Sequence, residues 1–169
     1  ISIPPCYPQN PPMFVVNVTA DANDGVCTVT HCALREAVIA ANNTVNATIT
    51  LSAGTYALSL SGQNEDFALT GDLDIRKNMT INGAGRDATI IDGGAIDRIF
   101  HIKNSSGIVN FTLNNLTAQN GLVNDVGGGL YTSVNGITTL NNVVFSGNQA
   151  TRGGAIFNLP SRLNINDSL

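Results

Sequence analysis

Five aspartates in the middle of the chain are the residues whose type is best suited to chemistry. Carboxylates exchange protons with a substrate or ligate Ca²⁺, often with a basic side chain beside them. Two adjacent pairs, Arg86 with Asp87 and Asp97 with Arg98, have the composition of an acid–base pair. Most of the aspartates stand near glycine, where an aspartate side chain bonds its own backbone in a turn. We therefore interpret as turn formers and solvated ion pairs the residues Asp72, Asp74, Asp87, Asp92 and Asp97.

The histidines and one acidic loop offer weaker signals of a site. His31 and His101 are far apart, and neither accompanies a serine or cysteine in a nucleophile motif. His101 follows a phenylalanine on a short apolar segment, so the alternation of a strand turns it outward. We interpret both as surface or structural histidines. Asp21, Asn23 and Asp24 have oxygen ligands suited to calcium but lack the glutamate of an EF-hand, so only a weak Ca²⁺ site is expected, and no other cofactor.

The cysteines indicate the compartment. Cys27 and Cys32 are separated by four residues, and no second cluster of Cys or His completes a zinc site. A local disulfide is the favoured interpretation, and it implies an oxidising, extracytoplasmic setting. Cys6 is then left over, either to join another subunit or to remain an unpaired thiol.

Composition excludes several classes of partner. The 169-residue chain has a net charge of −4 and only 12% charged residues, with 22 Asn and 16 Thr supplying uncharged polar surface. Two lysines make no basic stripe, so binding to nucleic acid or to anionic lipid is not expected. No run of eighteen apolar residues is present, so insertion into a membrane is not expected either. Because the sequence begins at Ile1, we expect that a targeting segment was removed and that the protein is secreted.

The chain divides into an arm, a cap and a repeat region. Residues 1–13 hold five of the six prolines, which favours an extended, polyproline-like arm. Residues 14–45 are predicted to form an N-terminal cap that begins with a strand at 14–18. Residues 46–169 consist of short apolar segments divided by Gly, Asn and Asp, which is typical of strands of three to five residues.

One helix is predicted, at residues 33–42 in the cap. Leu34 and Ala37 belong to an apolar series at helical spacing, while Arg35 and Glu36 point elsewhere and are predicted to form the exposed face. A single short amphipathic helix followed only by strands is what is expected of a plug that covers one end of a β structure.

The repeat region contains two series of residues that recur together. One series is spaced by 27 and 25 residues and the other by 31 and 26. A unit of about 25 residues with short strands can make one turn of a parallel β-helix, each rung bonded to the next at about 4.8 Å. An antiparallel sandwich, the competing architecture, has no in-register columns. The predicted columns are an aliphatic one (Leu113, Leu140, Ile165), an asparagine ladder at a turn (Asn114, Asn141, Asn166) and an aromatic one (Phe100, Tyr131, Phe157).

Motifs in three segments carry a resemblance to known families. Residues 27–42, CTVTHCALREAVIAAN, followed by ITLSAGTYAL at 49–58, resemble the CSLREA-type domain that precedes right-handed β-helices in secreted bacterial proteins; Ala33 stands where that motif has Ser. Residues 78–121 are similar to the opening rungs of pectin-lyase-like helices, and FSGNQATRGGAIFN at 145–158 resembles the repeats of polymorphic outer-membrane proteins. The resemblance implies an all-β, right-handed parallel β-helix with a short capping helix, a fold that carries lyases and adhesins alike.

The last rung is expected to be open at the C-terminal end. An uncovered rung exposes apolar side chains and unpaired backbone groups, which invite edge pairing. Three explanations are open. The chain is a piece of a longer protein, another copy covers the end, or the N-terminal arm of a neighbour supplies the missing strand. Our hypothesis is the last, a head-to-tail contact that grows into a fibre. The predicted contact residues are Pro4, Pro5, Cys6 and Tyr7 on the arm and Leu163, Ile165 and Leu169 at the open end.

These features together predict an extracellular, non-enzymatic structural or adhesive subunit that associates with copies of itself. The alternative is a carbohydrate-active, polysaccharide lyase-like or glycan-binding β-helix, whose partners are surface glycans. The two differ in whether acidic and aromatic side chains converge on one outer face.

Overall fold

The computed structural model describes residues 11–103, 107–133 and 135–169. The arm residues predicted at a subunit contact lie outside the described residues; they are Pro4, Pro5, Cys6 and Tyr7. The described part contains one helix and fourteen strands, in the order β1 (Met13–Val16), α1 (Leu34–Asn42), β2 (Ala47–Leu51), β3 (Gly54–Ala57), β4 (Leu73–Ile75), β5 (Met79–Asn82), β6 (Thr89–Asp92), β7 (Phe100–Ile102), β8 (Val109–Gln119), β9 (Leu122–Val126), β10 (Leu130–Thr132), β11 (Gly136–Ser146), β12 (Gln149–Arg152), β13 (Ile156–Asn158) and β14 (Arg162–Asn166).

The strands form three sheets in which every pairing between named strands is parallel. The largest sheet has the order β1-β2-β5-β8-β11-β14, with β3 and β6 pairing beside the second half of β8. The second sheet has the order β4-β7-β10-β13, and the third pairs β9 with β12. Apart from β1 and β2, strands that pair are not consecutive in the chain, and each pairs with its equivalent one coil away. This arrangement confirms the predicted parallel β-solenoid and excludes an antiparallel sandwich.

An aliphatic column runs through the core of the large sheet. Leu113 pairs with Leu140 in the next coil, and Leu140 pairs with Ile165. The column extends backwards through Ile81 and Ile49. The first four members of this series are buried, whereas Ile165 on the last strand is 54% exposed. Each fully buried member contributes about 1.5–3 kcal/mol of transfer free energy.

The predicted aromatic column is wrong at Phe100, which lies one residue out of register with Tyr131 and Phe157. Phe100 pairs with Leu130, and Tyr131 pairs with His101 on one side and with Phe157 on the other. Because successive side chains on a strand point to opposite faces, an offset of one residue exchanges inside for outside. Phe100 is therefore buried in the core, while Tyr131 and Phe157 belong to an outer column that continues from His101.

The asparagine ladder is confirmed, but it lies within strands and not at a turn. Asn141 Nδ2 donates to Asn114 Oδ1 at 2.7 Å, and Asn166 Nδ2 donates to Asn141 Oδ1 at 2.7 Å. The left-handed backbone belongs to the next column, in which Asn115 and Asn142 have φ of 56° and 53°. These residues bend the long strands β8 and β11, since asparagine tolerates this conformation better than most side chains.

The helix begins one residue later than predicted, at Leu34, and the expected exposed face is wrong. Glu36 Oε2 accepts the Ala33 backbone N–H at 2.8 Å, which satisfies one of the donors left free at a helix start. Arg35 is 0% and Glu36 is 2% exposed, because α1 packs against the loop that precedes β4 as well as against β1 and β2. No helix in the described ranges is long and apolar enough to cross a membrane.

The predicted disulfide is present, and a glycine occupies a tight corner between two coils. Cys27 and Cys32 are bonded, with their Cα atoms 4.2 Å apart, and this bond indicates an oxidising environment. Gly128 lies where two coils approach closely. A Cβ there would stand 2.5 Å from the Gln149 carbonyl oxygen and 2.6 Å from that of Gly154. No other residue fits this corner without displacing backbone.

The outermost strands of the large sheet are β1 and β14. On β1, Met13 and Val15 are exposed. At the other edge Ile165 and Leu169 are exposed, while Leu163 is partly buried against the core. The Leu169 backbone N–H still donates to the Val143 carbonyl, so the backbone follows β11 as far as the last residue.

Candidate functional site

A groove of about 390 Å³ opens on the outer face of the sheet β4-β7-β10-β13. The loop between β3 and β4 forms one wall, and β9 forms the other. Acidic, cationic, amide and aromatic side chains all reach it. The lining residues are Gln63, Asn64, Glu65, Asp66, Asp72, Asp97, Arg98, His101, Lys103, Val123, Asn124, Asp125 and Tyr131.

The short strands beneath the groove explain why polar side chains point into it. β4, β7 and β10 read LDI, FHI and LYT, and the outer two residues of each triplet are buried in the core. Alternation then turns the middle residue outward. Because the strands are in register, Asp74, His101 and Tyr131 follow one another across three coils.

Three of the aspartates interpreted above as turn formers instead converge below this groove, which corrects that interpretation. Asp72, Asp74 and Asp97 are all buried. Burial, reinforced by the neighbouring carboxylates Asp74 and Asp97, raises the pKa of Asp72 to about 8, although Arg98 opposes the shift. Burial also raises the pKa of Asp97, against the backbone N–H and the charge of Arg98.

Asp92 does behave as predicted. Its Oδ1 accepts the Gly94 backbone N–H at 2.9 Å, which is the bonding of a turn. Gln119 and Asn120 donate to its other oxygen. Burial raises the pKa of Asp92, but these hydrogen bonds outweigh it and lower the pKa overall. Asp87 is exposed and does not line the groove.

Arg98 is the principal cation of the groove, and among the described residues its guanidinium forms ion pairs with Asp72 and Asp125 rather than with its neighbour Asp97. Its Nη1 lies 3.4 Å from Asp72 Oδ2, and its Nη2 lies 3.3 Å from Asp125 Oδ2. The guanidinium carbon is 5.4 Å from the centre of the Tyr131 ring. Arg98 Nε is buried and has no hydrogen-bond partner among the described residues. The guanidinium therefore links the carboxyl groups to the aromatic side of the groove.

An aromatic stack forms the floor of the groove and continues beyond it. The rings of His101 and Tyr131 are stacked, with centroids 4.8 Å apart and an interplanar angle of 13°. Phe157 continues the series with its centroid 6.0 Å from that of Tyr131. His101 points to the outer side of its strand as predicted, but only 8% of it is exposed because the groove walls and Tyr131 cover it.

The residues of the acidic loop considered as a weak calcium site have other partners in the described structure. Asp21 is used by the Arg35 side chain and by the backbone N–H groups of Ser59 and Leu60. The Asn23 side chain donates to the Leu69 carbonyl. Asp24 Oδ2 lies 3.5 Å from His31 Nδ1, and these two residues form a cluster with Glu36.

The architecture and the groove define a class of protein: a parallel β-solenoid with a helical cap, a local disulfide and a polar groove on one outer sheet. A scan against protein-family models, a search of curated proteins and a search of solved structures each returned no match. The evidence about function therefore comes from the residues of the groove.

Proposed function

We propose that this protein is an extracellular, adhesive β-solenoid that binds a glycan in the groove without cleaving it. The observation that carries the proposal is the continuous His101–Tyr131 stack beside Arg98 and a set of carboxyl and amide groups on one outer face. Because the Tyr131 ring is stacked on His101 and lies under Arg98, Tyr131 meets a ligand with its ring edge and its hydroxyl group. The surrounding polar side chains supply donors and acceptors for hydroxyl groups.

The charge of the groove restricts the kind of glycan. Its lining contains five carboxyl side chains but only Arg98 and Lys103 as permanent cations. Both cations are already close to carboxylates, Arg98 to Asp72 and Asp125, and Lys103 to Asp66. A polyuronate would bring further negative charge to this surface and be repelled. A neutral or amino-sugar glycan is the ligand class that fits.

The solenoid suits such a role physically. Coils repeat every 4.8 Å or so, and His101 and Tyr131 come from successive coils within the groove. A linear glycan lying in the groove therefore meets more than one coil. The disulfide and the hydrogen-bonded asparagine ladder hold the scaffold rigid, so little ordering is needed when the ligand binds. We include two further points in this proposal. The cap, which resembles CSLREA-type domains, serves as the N-terminal cap of the solenoid, and the protein is secreted.

A pair of arginine variants tests the groove directly. Arg98 and Arg152 each lie over an aromatic ring, at 5.4 Å from Tyr131 and 5.2 Å from Phe157, but only Arg98 lines the groove. Arg98→Gln is expected to weaken binding of cellohexaose or chitohexaose roughly tenfold or more, since a charge-assisted hydrogen bond contributes about 1.5–3 kcal/mol. Arg152→Gln is expected to bind as the wild type does, as measured by calorimetry.

Product analysis after prolonged incubation distinguishes binding from catalysis. The proposal expects no new reducing ends from the neutral and amino-sugar oligosaccharides and no unsaturated products from polygalacturonate with Ca²⁺. Release of either product would make the carbohydrate-active alternative correct. Tightest binding to polygalacturonate would contradict the assignment of ligand class.

End-to-end self-association is a second candidate function, and the exposed edges of the large sheet favour it. Apolar side chains are exposed on β1, at Met13 and Val15, and on β14, at Ile165. Pairing of β14 with β1 of a second copy would be heterologous and would continue without closing. Sedimentation over a concentration series tests this candidate. A discrete monomer at every concentration, unchanged by deletion of residues 1–13, would rule it out.

A further inference from the structure

We propose that Asp66, Asp74 and His101 form a binding site for a divalent transition-metal ion, with Zn²⁺ the best fit. One ligand atom from each of the three lies within 4.8 Å of the ligand atoms of the other two. Two of the three residues, Asp66 and His101, also line the proposed glycan groove, but the metal site does not depend on any glycan being bound.

Asp74 supplies the observation that points to a cation. Its side chain is 0% exposed, and its Oδ2 accepts the Ala68 backbone N–H at 3.0 Å. Its Oδ1 is buried and has no hydrogen-bond partner among the described residues. A buried carboxylate oxygen without a partner is costly, and buried charges are normally paired or coordinate metals. An ion at Oδ1 removes that cost.

The distance between Asp74 and His101 matches two ligands of one ion. His101 Nδ1 lies 3.3 Å from Asp74 Oδ1. Two donors bonded to zinc at about 2.0–2.2 Å and at a tetrahedral angle are about 3.3–3.5 Å apart. The stack on Tyr131, with centroids 4.8 Å apart, fixes the plane of the imidazole. Asp72 Oδ2 lies 4.0 Å from the same nitrogen and adds a further carboxyl group beside the site.

Asp66 completes the ligand set from the loop between β3 and β4. Its side chain is half-buried and its carboxylate already meets a cation, because Lys103 Nζ forms an ion pair with Asp66 Oδ1. Lys103 is itself partly exposed and on a flexible stem, so a metal ion can replace its ammonium group at little cost. The groove beside Asp66 gives the ion a path from solvent.

The ligand types select the metal. An imidazole nitrogen with two carboxylates suits zinc and other first-row transition ions, whereas Ca²⁺ and Mg²⁺ prefer oxygen ligands alone. The second three-residue cluster, Asp24, His31 and Glu36, is a natural control. Both oxygens of Glu36 there already accept backbone N–H groups, from Asp24 and Ala33.

Calorimetry on chelator-treated protein, carried out in a Cys6→Ser background to remove thiol ligation, tests the proposal. The expected result is one Zn²⁺ per chain, with Asp74→Asn and His101→Gln each weakening binding at least about tenfold. Because the Asp66 side chain is only half-buried, Asp66→Asn should fold normally and still lose affinity. His31→Gln is expected to leave zinc binding unchanged.

Two results would overturn the site. One is an absence of Zn²⁺ and Mn²⁺ binding at millimolar concentration in protein whose circular dichroism and thermal melting are native. The other is loss of Zn²⁺ binding in His31→Gln with retention in Asp66→Asn, which would move the ion to the other cluster. X-ray absorption at the zinc edge supports the site if it shows nitrogen and oxygen ligands with one imidazole. It contradicts the site if no imidazole is present.

Discussion

Arg35 and Asp21 form a buried, two-point ion pair that ties the capping helix to the solenoid. Arg35 Nε donates to Asp21 Oδ1 at 2.7 Å, and Nη2 donates to Oδ2 at 3.0 Å. The remaining donors of the guanidinium reach the carbonyl oxygens of Ala68, Gly71 and Asp72. Because Asp72 belongs to the groove, the same side chain that joins helix to loop also positions one edge of the candidate site.

Removal of this guanidinium is expected to be severely destabilising. Arg35→Met leaves the Asp21 carboxylate and three carbonyl groups buried without their donor. Breaking a buried ion pair in this way costs about 3–5 kcal/mol, measured as the change in the free energy of unfolding in urea. Arg152→Met at an exposed position should change it by less than about 0.5 kcal/mol. Equal losses in both variants would contradict the account.

The stability of the protein should fall in acid because of Asp21. Burial raises the pKa of Asp21, but hydrogen bonds from Arg35 and from the Leu60 and Ser59 N–H groups lower it overall, below its ordinary value of 3.8. A carboxyl with a lowered pKa in the folded state stabilises fully above the unfolded pKa, and this stabilisation is lost as the pH falls through the folded value. Urea midpoints between pH 5 and pH 2 should fall less steeply in Asp21→Asn than in the wild type. Parallel slopes would show that Asp21 is not responsible.

The asparagine ladder should contribute measurably to stability. Asn141 donates to Asn114 and accepts from Asn166, so Asn141→Ala removes two hydrogen bonds and leaves two partners unsatisfied. The expected loss is about 1–3 kcal/mol. Asn164→Ala removes a single exposed bond of 3.3 Å to Thr139 and should cost less than about 0.5 kcal/mol. A larger loss in the control than in Asn141→Ala would contradict this prediction.

The disulfide should stabilise the cap modestly because it closes a short loop. The bond joins residues five apart in sequence, for which loop closure contributes about 2 kcal/mol. Reduction, or replacement of both Cys27 and Cys32 by Ala, should lower the thermal midpoint by several degrees. A midpoint unchanged by dithiothreitol would show that the bond does not constrain the unfolded chain.

The solenoid could be predicted from the sequence because stacking leaves a period in the residues themselves. Leu113, Leu140 and Ile165 occupy one column, so the same type of side chain recurs at each coil. The Asn that follows each of them recurs for the same reason. These positions see the same neighbours in successive coils, and pattern analysis detects such positions readily.

The groove could not be predicted in the same way, since its carboxyl groups come from segments that do not repeat. Asp72 and Asp97 precede the paired strands β4 and β7, and they approach each other although they occupy different positions in their coils. The sequence did contain one signal of the outward column: in LDI, FHI and LYT, the middle residue differs in type from the two core residues that flank it. Aligned by their middle residues, these triplets put Asp74, His101 and Tyr131 in one outward column.

The burial of Arg35 also could not be predicted from the sequence pattern. Helical spacing showed that Arg35 does not belong to the apolar stripe, and an exposed position follows from that rule alone. The rule fails here because a loop 33 to 37 residues away supplies three carbonyl groups and covers the side chain. Long-range polar contacts of this kind leave no local period.

The decisive experiment for the proposed groove is to map where a glycan binds on the protein surface. Backbone amide shifts of ¹⁵N-labelled protein titrated with chitohexaose or cellohexaose report that location residue by residue. We expect changes concentrated in β7, β10 and β9, around Arg98 and Tyr131, and we expect Tyr131→Ala to abolish them. Changes confined to the opposite sheet, or unaffected by Tyr131→Ala, would contradict it.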